Sequence, residues 1–157
     1  MNIKLITIGK TDNKNLQSLI EDYQKRLGHY IKFEFELIPD IKNVKHLSET
    51  QQKEKEGELI LAKTQKSIVL ILLDENGKQM DSVAFSGYLQ KHMNSGIKTL
   101  IFVIGGPYGF SEPVYQRAYG KLGLSKMTFS HQMVRLFFIE QLYRGFTILK
   151  YEPYHHR

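Results

Sequence analysis

Two unbroken apolar runs, SIVLILL at 67–73 and TLIFVI at 99–104, restrict this chain more than any other feature. A strand with one wet side alternates apolar and polar residues. A strand apolar at nearly every position belongs in a sheet covered on both faces, the usual setting of parallel strands joined by helical crossovers. Each run stops at a turn signal, Asp74-Glu75-Asn76-Gly77 after the first and Gly105-Gly106-Pro107 after the second. Residues 2–8 read as a further strand closed by Gly9, and Phe33, Phe35 and Leu37 alternate with Lys32, Glu34 and Glu36 as a half-buried one. Helical spacing of Leu16, Leu19, Ile20, Tyr23 and Leu27 predicts a helix over 14–29. Ser48 and Gln51 form a capping box, with Leu47 as a staple, for a charged helix running to Lys66. A helix over 81–93 is capped by Asp81 or Ser82, and Ser111 caps a short one with Pro113 in its tolerant first turn. A short strand at 122–124, an extended stretch at 127–129 and a long helix over 131–149 complete the chain. Strands alternating with helices over 157 residues predict one α/β domain, a mostly parallel sheet with helices on both faces.

The last of these helices is unusual, because Met133, Val134, Leu136, Phe137, Phe138, Ile139, Leu142, Tyr143 and Phe146 cover nearly its whole circumference. A helix apolar all round is buried all round. A domain this small has too little core to cover every side, so a homodimer interface is expected there.

Cysteine is absent, which removes disulfides, thiolate chemistry and cysteine metal sites. No apolar run approaches the ~20 residues of a membrane span, and the start MNIKLITIGK lacks a secretory pattern, so a cytoplasmic protein is expected. The formal net charge is +6, and it is unevenly spread. Residues 1–78 carry 13 Lys and Arg against 12 Asp and Glu, whereas 79–157 carry 9 against 4. A positive half suits a polyanion such as RNA, since neutralised phosphates release counterions. Charge alone leaves that reading level with a merely lysine-rich surface.

In open α/β sheets, ligands sit beyond the carboxyl ends of the strands. The stretch IFVIGGPYGF places Gly105 and Gly106 at such a position, where missing Cβ atoms would let an adenine edge or a ribose lie on the main chain. On that reading a Gly106→Val change blocks the ligand and leaves the fold nearly intact. An ordinary strand-to-helix corner is the alternative. Neither the dinucleotide fingerprint G-x-G-x-x-G nor the phosphate loop G-x-x-x-x-G-K-[ST] is present.

Taken in order, IGGPYGF, KLGLSKMTFSHQMVRLFFIEQLYRGF and the terminal YEPYHHR resemble the RlmH family, SPOUT-class methyltransferases of a pseudouridine N3 in large-subunit ribosomal RNA. The resemblance runs the whole length of the chain. It implies S-adenosylmethionine as methyl donor, a homodimer and a C-terminal trefoil knot, which neither composition nor periodicity would suggest. Carried over by position, it implies cofactor contacts at Leu73, Gly105 and Gly106, and at Ser125, Lys126, Met127, Thr128, Phe129 and Ser130. Backbone groups of that last segment, with Met127 and Phe129, would enclose adenine and methionine.

A sulfonium is already an activated electrophile, so the resemblance calls for no metal and no nucleophilic side chain. What remains is to hold the methyl in line with the target nitrogen and help an imide N–H lose its proton. His155 matches the family's P-Y-H tail, and an imidazole, with a pKa of ~6.5 in water, suits proton transfer. Tyr154 is expected to stack on or bond the base, and Arg135 to stabilise charge. Arg144, His156 and Arg157 are expected to bind RNA, although Arg135 and Arg144 equally suit ion pairs with Glu140. Relatives more often end with a basic residue then Glu after P-Y-H. Here His156-Arg157 leaves open how those roles divide. His131 reads as a helix-start residue, and Lys4, Lys10 and Lys14 as solvated surface. Three other readings stay open: a SPOUT relative acting on another RNA such as transfer RNA, a basic RNA-binding module without activity, and a small-molecule enzyme, disfavoured because no acid–base pair or nucleophile motif appears.

Overall fold

A computed structural model describes residues 1–65 and 68–156. The expected first residue of one strand, Ser67, and last residue of one helix, Lys66, lie outside the described residues, as does Arg157. Five strands, β1 (Asn2–Ile8), β2 (Lys32–Ile38), β3 (Val69–Lys78), β4 (Thr99–Ile104) and β5 (Gly120–Leu122), form one all-parallel sheet in the order β2-β1-β4-β3-β5. The helices are α1 (Lys14–Leu27), α2 (Glu49–Ala62), α3 (Ser82–Asn94), α4 (Glu112–Arg117) and α5 (His131–Leu149).

The two apolar runs behave as their composition requires. Along β4, Leu100, Phe102 and Ile104 enter one core with residues of α1, α3 and α5, while Ile101 and Val103 enter the opposite core with Ile60 of α2 and Val114 of α4. In β3, Leu70 and Leu72 face the second core and Ile71 the first. Period-two geometry thus splits each unbroken apolar run between two buried faces. Fully burying each such side chain is worth ~1.5–3 kcal/mol.

Helix starts follow side-chain capping. Gln51 N–H donates to Ser48 Oγ at 3.1 Å and Ser48 N–H to Gln51 Oε1 at 2.9 Å, the reciprocal pair the sequence predicts. Asp81 Oδ1 accepts from Ala84 N–H at 2.7 Å to start α3, and Ser130 Oγ from Met133 N–H at 3.2 Å to start α5. Helix α1 stops at Leu27 with Gly28 as its cap, α2 at Ala62 with Lys63.

Three expectations need correction. The Asp74–Gly77 segment does not end β3: pairing with β5 resumes at Lys78 across a register shift, and Asp74 Oδ1 accepts Asn76 N–H at 2.8 Å to bend the chain there. Strand β5 falls at Gly120–Leu122 instead of 122–124, and 127–129 has no regular structure. A Cβ on Gly123 would stand 2.9 Å from the Gly77 carbonyl oxygen, and a Cβ on Gly77 would stand 2.6 Å from the Leu122 carbonyl carbon. The two backbones meet this closely beside the Lys78–Leu122 pair, where Gly123 N–H donates to the Lys78 carbonyl at 3.0 Å.

Helix α5 lies against both α1 and α3. Phe138, Ile139, Leu142 and Phe146 are buried by its own chain, so the helix is not apolar toward solvent all round. A stripe stays outside: Met133, and Phe137 at 40 % exposure, whose ring lies 5.3 Å from that of Phe129.

Candidate functional site

Beyond the carboxyl ends of β3 and β4 lies a cavity of about 530 Å³, within the usual range for small-molecule sites. Leu73, Gly105, Gly106, Ser125, Met127, Thr128, Phe129 and Ser130 all line it, so residues from three separate stretches converge as expected. Lys126 is not among the lining residues. The wall 125–130 is shaped locally: Ser125 Oγ accepts Met127 N–H at 3.0 Å, and Ser130 is engaged in capping α5. Met127 is 73 % exposed, so in a single chain the apolar side of the cavity stands open instead of enclosing.

Asp74 and Glu75 are the carboxylates of this wall, and neither Lys nor Arg lines it among the described residues. The Tyr115 hydroxyl donates to Asp74 Oδ2 at 2.5 Å, and burial together with that carboxylate pushes the phenol up to about 12. A chain of net charge +6 therefore keeps an acidic rim at its cavity.

The bare turn has a different cause from the one its sequence suggests. A Cβ on Gly105 would lie 3.1 Å from the Phe110 ring, and one on Gly106 only 2.5 Å from Glu56 Oε1. These missing atoms answer to the protein's own interior, while the main chain of both glycines still borders the cavity. A Gly106→Val change therefore strikes the core, contrary to the expectation of a nearly intact fold. Glu56 is 3 % exposed; among the described residues its Oε1 has no partner, and Oε2 receives only Gln52 Nε2 at 3.5 Å. Desolvation pushes its carboxyl above the usual carboxylate range. Sequence reasoning missed this residue because it sits in the charged run QQKEKEGEL. The legible signal was its neighbour Gly57, mid-helix, where a Cβ would collide with Ser111 Oγ, so that α2 presses on the start of α4.

The tail forms a second cluster. Glu140 Oε1 accepts from Arg144 Nε at 3.1 Å, from Arg144 Nη2 at 2.6 Å and from the Tyr154 hydroxyl at 2.9 Å. The Arg144 guanidinium lies 4.7 Å from the centre of the Tyr154 ring, and its Nη1 donates to His155 Nδ1 at 3.1 Å. Tyr23 of α1 reaches the Tyr154 hydroxyl at 3.2 Å, and Tyr30 donates to Glu152 at 2.5 Å. Burial, then the bonds to Tyr23 and Glu140, push the Tyr154 phenol up. The tail is thus a placed segment, and the Arg144–Glu140 ion pair forms within one chain. His156 is exposed.

Arg135 stands apart from that cluster. It is 1 % exposed and donates through Nη2 to the Ile8 carbonyl at 2.9 Å and through Nη1 to Thr11 Oγ1 at 3.0 Å. Expected among the catalytic residues, it is an internal strap tying the end of β1 to α5. Gln132 adds a second strap, accepting from Asp12 N–H at 3.0 Å and donating to the Lys10 carbonyl at 3.1 Å. His131 borders the cavity at the helix start. None of Tyr154, His155 or His156 lines the cavity of its own chain. Among the described residues no group of three or more His, Asp or Glu is placed to hold a metal ion, and no helix is long and apolar enough to cross a membrane.

Comparison with known proteins adds to this geometry. A family model described as a predicted SPOUT methyltransferase matches residues 1–155. A protein of Flavobacterium psychrophilum named Ribosomal RNA large subunit methyltransferase H is 77 % identical over 157 residues, covering all of both chains. One of the same name from Flavobacterium johnsoniae is 75 % identical, again over all of both. Among solved structures, a probable methylase family protein from Haemophilus influenzae Rd KW20 superposes with a TM-score of 0.53 at 13 % identity, over 99 % of this chain and 71 % of that one, a likeness of fold alone. With a family match from residue 1 to 155 and relatives of three-quarters identity along their entire length, the chain belongs to the SPOUT methyltransferase family.

Proposed function

We propose that this chain transfers a methyl group from S-adenosylmethionine to N3 of a pseudouridine in large-subunit ribosomal RNA, working in the cytoplasm as a homodimer on the assembled ribosomal particle. The observation that carries the reading is the convergence of Leu73, the Gly105-Gly106 turn and the 125–130 segment on one cavity. The name of the whole-length relatives supports the RNA class, and so does the positive second half of the sequence.

The cavity suits the cofactor chemically. Its apolar wall of Leu73, Leu124, Met127 and Phe129 fits an adenine and a thioether chain, and the unscreened backbone of the glycine turn offers N–H and C=O groups to an adenine edge or ribose. Asp74 and Glu75 suit a molecule of net positive charge. When bound, the cofactor supplies an electrophilic methyl. The protein's part is then to position the acceptor nitrogen and favour its anion.

Tyr154, His155 and Arg144 carry the polar groups suited to that second task, yet they lie away from the cavity of their own chain. A second copy presenting its tail to the cavity joins the two halves. The outward stripe of Phe129, Met133 and Phe137 beside that cavity supplies the apolar surface such a pair needs. His156, exposed at the end of the tail, is suited to contact RNA, and so by its charge is Arg157.

Mapping methylated nucleotides by mass spectrometry, in RNA from cells with and without the gene, tests the reading. Loss of one methylated pseudouridine from large-subunit RNA, restored by the gene, is the expected result. Unchanged ribosomal RNA with a methyl lost from transfer RNA would redirect the assignment, and no methyl lost anywhere would overturn it.

A further inference from the structure

We propose that Arg144 fixes His155 as a hydrogen-bond donor: it holds the neutral imidazole with its hydrogen on Nε2, so that His155 meets the target base with an N–H and not with a lone pair. The inference rests on the reaction proposed above and assigns a chemical role within it.

A guanidinium carries five N–H donors, no acceptor, and does not lose its proton in proteins. The ring nitrogen 3.1 Å from Arg144 Nη1 must therefore accept, so His155 Nδ1 bears a lone pair and the hydrogen of the neutral ring sits on Nε2. Arg144 has little freedom to turn away. Glu140 Oε1 takes its Nε and Nη2, which leaves Nη1 directed at the imidazole. The Tyr154 ring backs the guanidinium at 4.7 Å, and the Tyr154 hydroxyl closes on the same carboxylate oxygen. Gln141 Nε2 occupies Glu140 Oε2 at 2.8 Å, and Tyr23 caps the Tyr154 hydroxyl from α1. Among the described residues Arg144, Glu140, Tyr154 and Tyr23 thus form one bonded cluster behind the imidazole, and each is engaged.

A general base acting through Nε2 needs the other tautomer. Its Nδ1–H would point at an Arg144 N–H, donor against donor. The arrangement that makes His155 a proton acceptor is the one Arg144 opposes. An Nε2–H, by contrast, suits an imide anion, whose charge resides largely on the two carbonyl oxygens flanking N3. Donation to one of them stabilises charge as it develops, the role of an oxyanion donor. The N3 proton leaves to water. The nitrogen pair then forms the N–CH₃ bond as the S–CH₃ bond breaks, converting sulfonium to neutral thioether. His155 touches the substrate, and Arg144 acts through it as a positioning residue.

Long-range ¹H–¹⁵N correlation on the full-length protein, labelled at histidine and held at mildly alkaline pH, reads the tautomer without substrate. The His155→Gln variant identifies the resonance. Expected are a pyridine-like Nδ1 and a pyrrole-like Nε2 at His155, a tautomer mixture in Arg144→Ala, and recovery in Arg144→Lys, whose ammonium also only donates. A protonated Nδ1, or a tautomer unmoved by Arg144→Ala, overturns the positioning role. In single-turnover methylation, His155→Gln, which donates but cannot take a proton, should stay within about tenfold of the parent, and His155→Ala should fall ~10²–10³-fold. Equal losses in both variants overturn the donor role. Failure of the functional reading looks different: the parent protein transfers no methyl to ribosomal particles, whatever the tautomer.

Discussion

A single methyl group at residue 106 separates two explanations of the glycine turn. Gly106 does not have a left-handed φ, so alanine is allowed there by the backbone and only contacts decide its effect. Its Cβ would stand 2.5 and 2.6 Å from the Glu56 carboxylate oxygens and 2.8 Å from their carbon, against an ordinary contact of 3.4 Å or more. The carboxyl must retreat by roughly 1 Å, and although it ends a flexible side chain, Glu56 is 3 % exposed and closely packed. Overpacking of this sort costs about 1–3 kcal/mol. At 2–4 °C per kcal/mol for a chain of this size, Gly106→Ala should lower Tm by ~2–12 °C. Glu56→Ala removes the obstructing atoms, so the double variant should recover most of the loss, with a coupling of about 1–3 kcal/mol. Thermal and urea unfolding of the four proteins measures the cycle, and calorimetric titration of S-adenosylmethionine runs beside it. Unchanged Tm with abolished cofactor binding would refute the packing account and restore the view that glycine is there for the ligand. Additive effects of the two substitutions would refute the contact itself.

Burial raises the Glu56 pKa, so the folded chain keeps a proton that the unfolded chain has released. Stability must then fall as pH rises from ~4.3 through the folded value; Glu56→Gln should remove that decline, and parallel urea midpoints for the two proteins between acid and neutral pH would refute it. Arg135→Met should leave the Ile8 carbonyl and the Thr11 hydroxyl without their donor and lower stability by roughly 2–5 kcal/mol. A loss under ~1 kcal/mol in urea unfolding, with methyl transfer abolished, would return Arg135 to the catalytic residues. Ser48→Ala dismantles the capping box at the start of α2 and should cost about 1 kcal/mol with cofactor affinity unchanged; no shift in the urea midpoint would refute the cap's contribution.

What could be read beforehand divides by distance along the chain. The bounds of β4 and α5, the capping box at Ser48 and the two-sided cover of β3 were legible because each is set by period or by residues a few positions apart. The cavity wall was legible through family resemblance, since nothing local marks 125–130 as more than core. Arg135 looked like a charge offered to substrate because its partners, Ile8 and Thr11, lie more than 120 positions away. The same distance hid the anchoring of the tail by Tyr23 and Tyr30. Segment 74–77 reads as a turn on composition and does bend, but Lys78 still pairs with β5, a pairing no window of neighbours can reveal. Glu56 was lost among its charged neighbours, where helical position alone decides which carboxylate goes under.

The packing of α5 against both α1 and α3 also governs the order in which this protein can be made. Ribosomes extrude the amino terminus first, so Leu27 of α1 and Leu89 of α3 emerge long before Leu142 and Phe146 of α5, which share their core. Until α5 is made, this face of the sheet has only α1 and α3 over it, and apolar surface stays open to chaperones or to aggregation. Shortening the carboxyl terminus by even two helical turns should therefore harm solubility more than removing any surface loop.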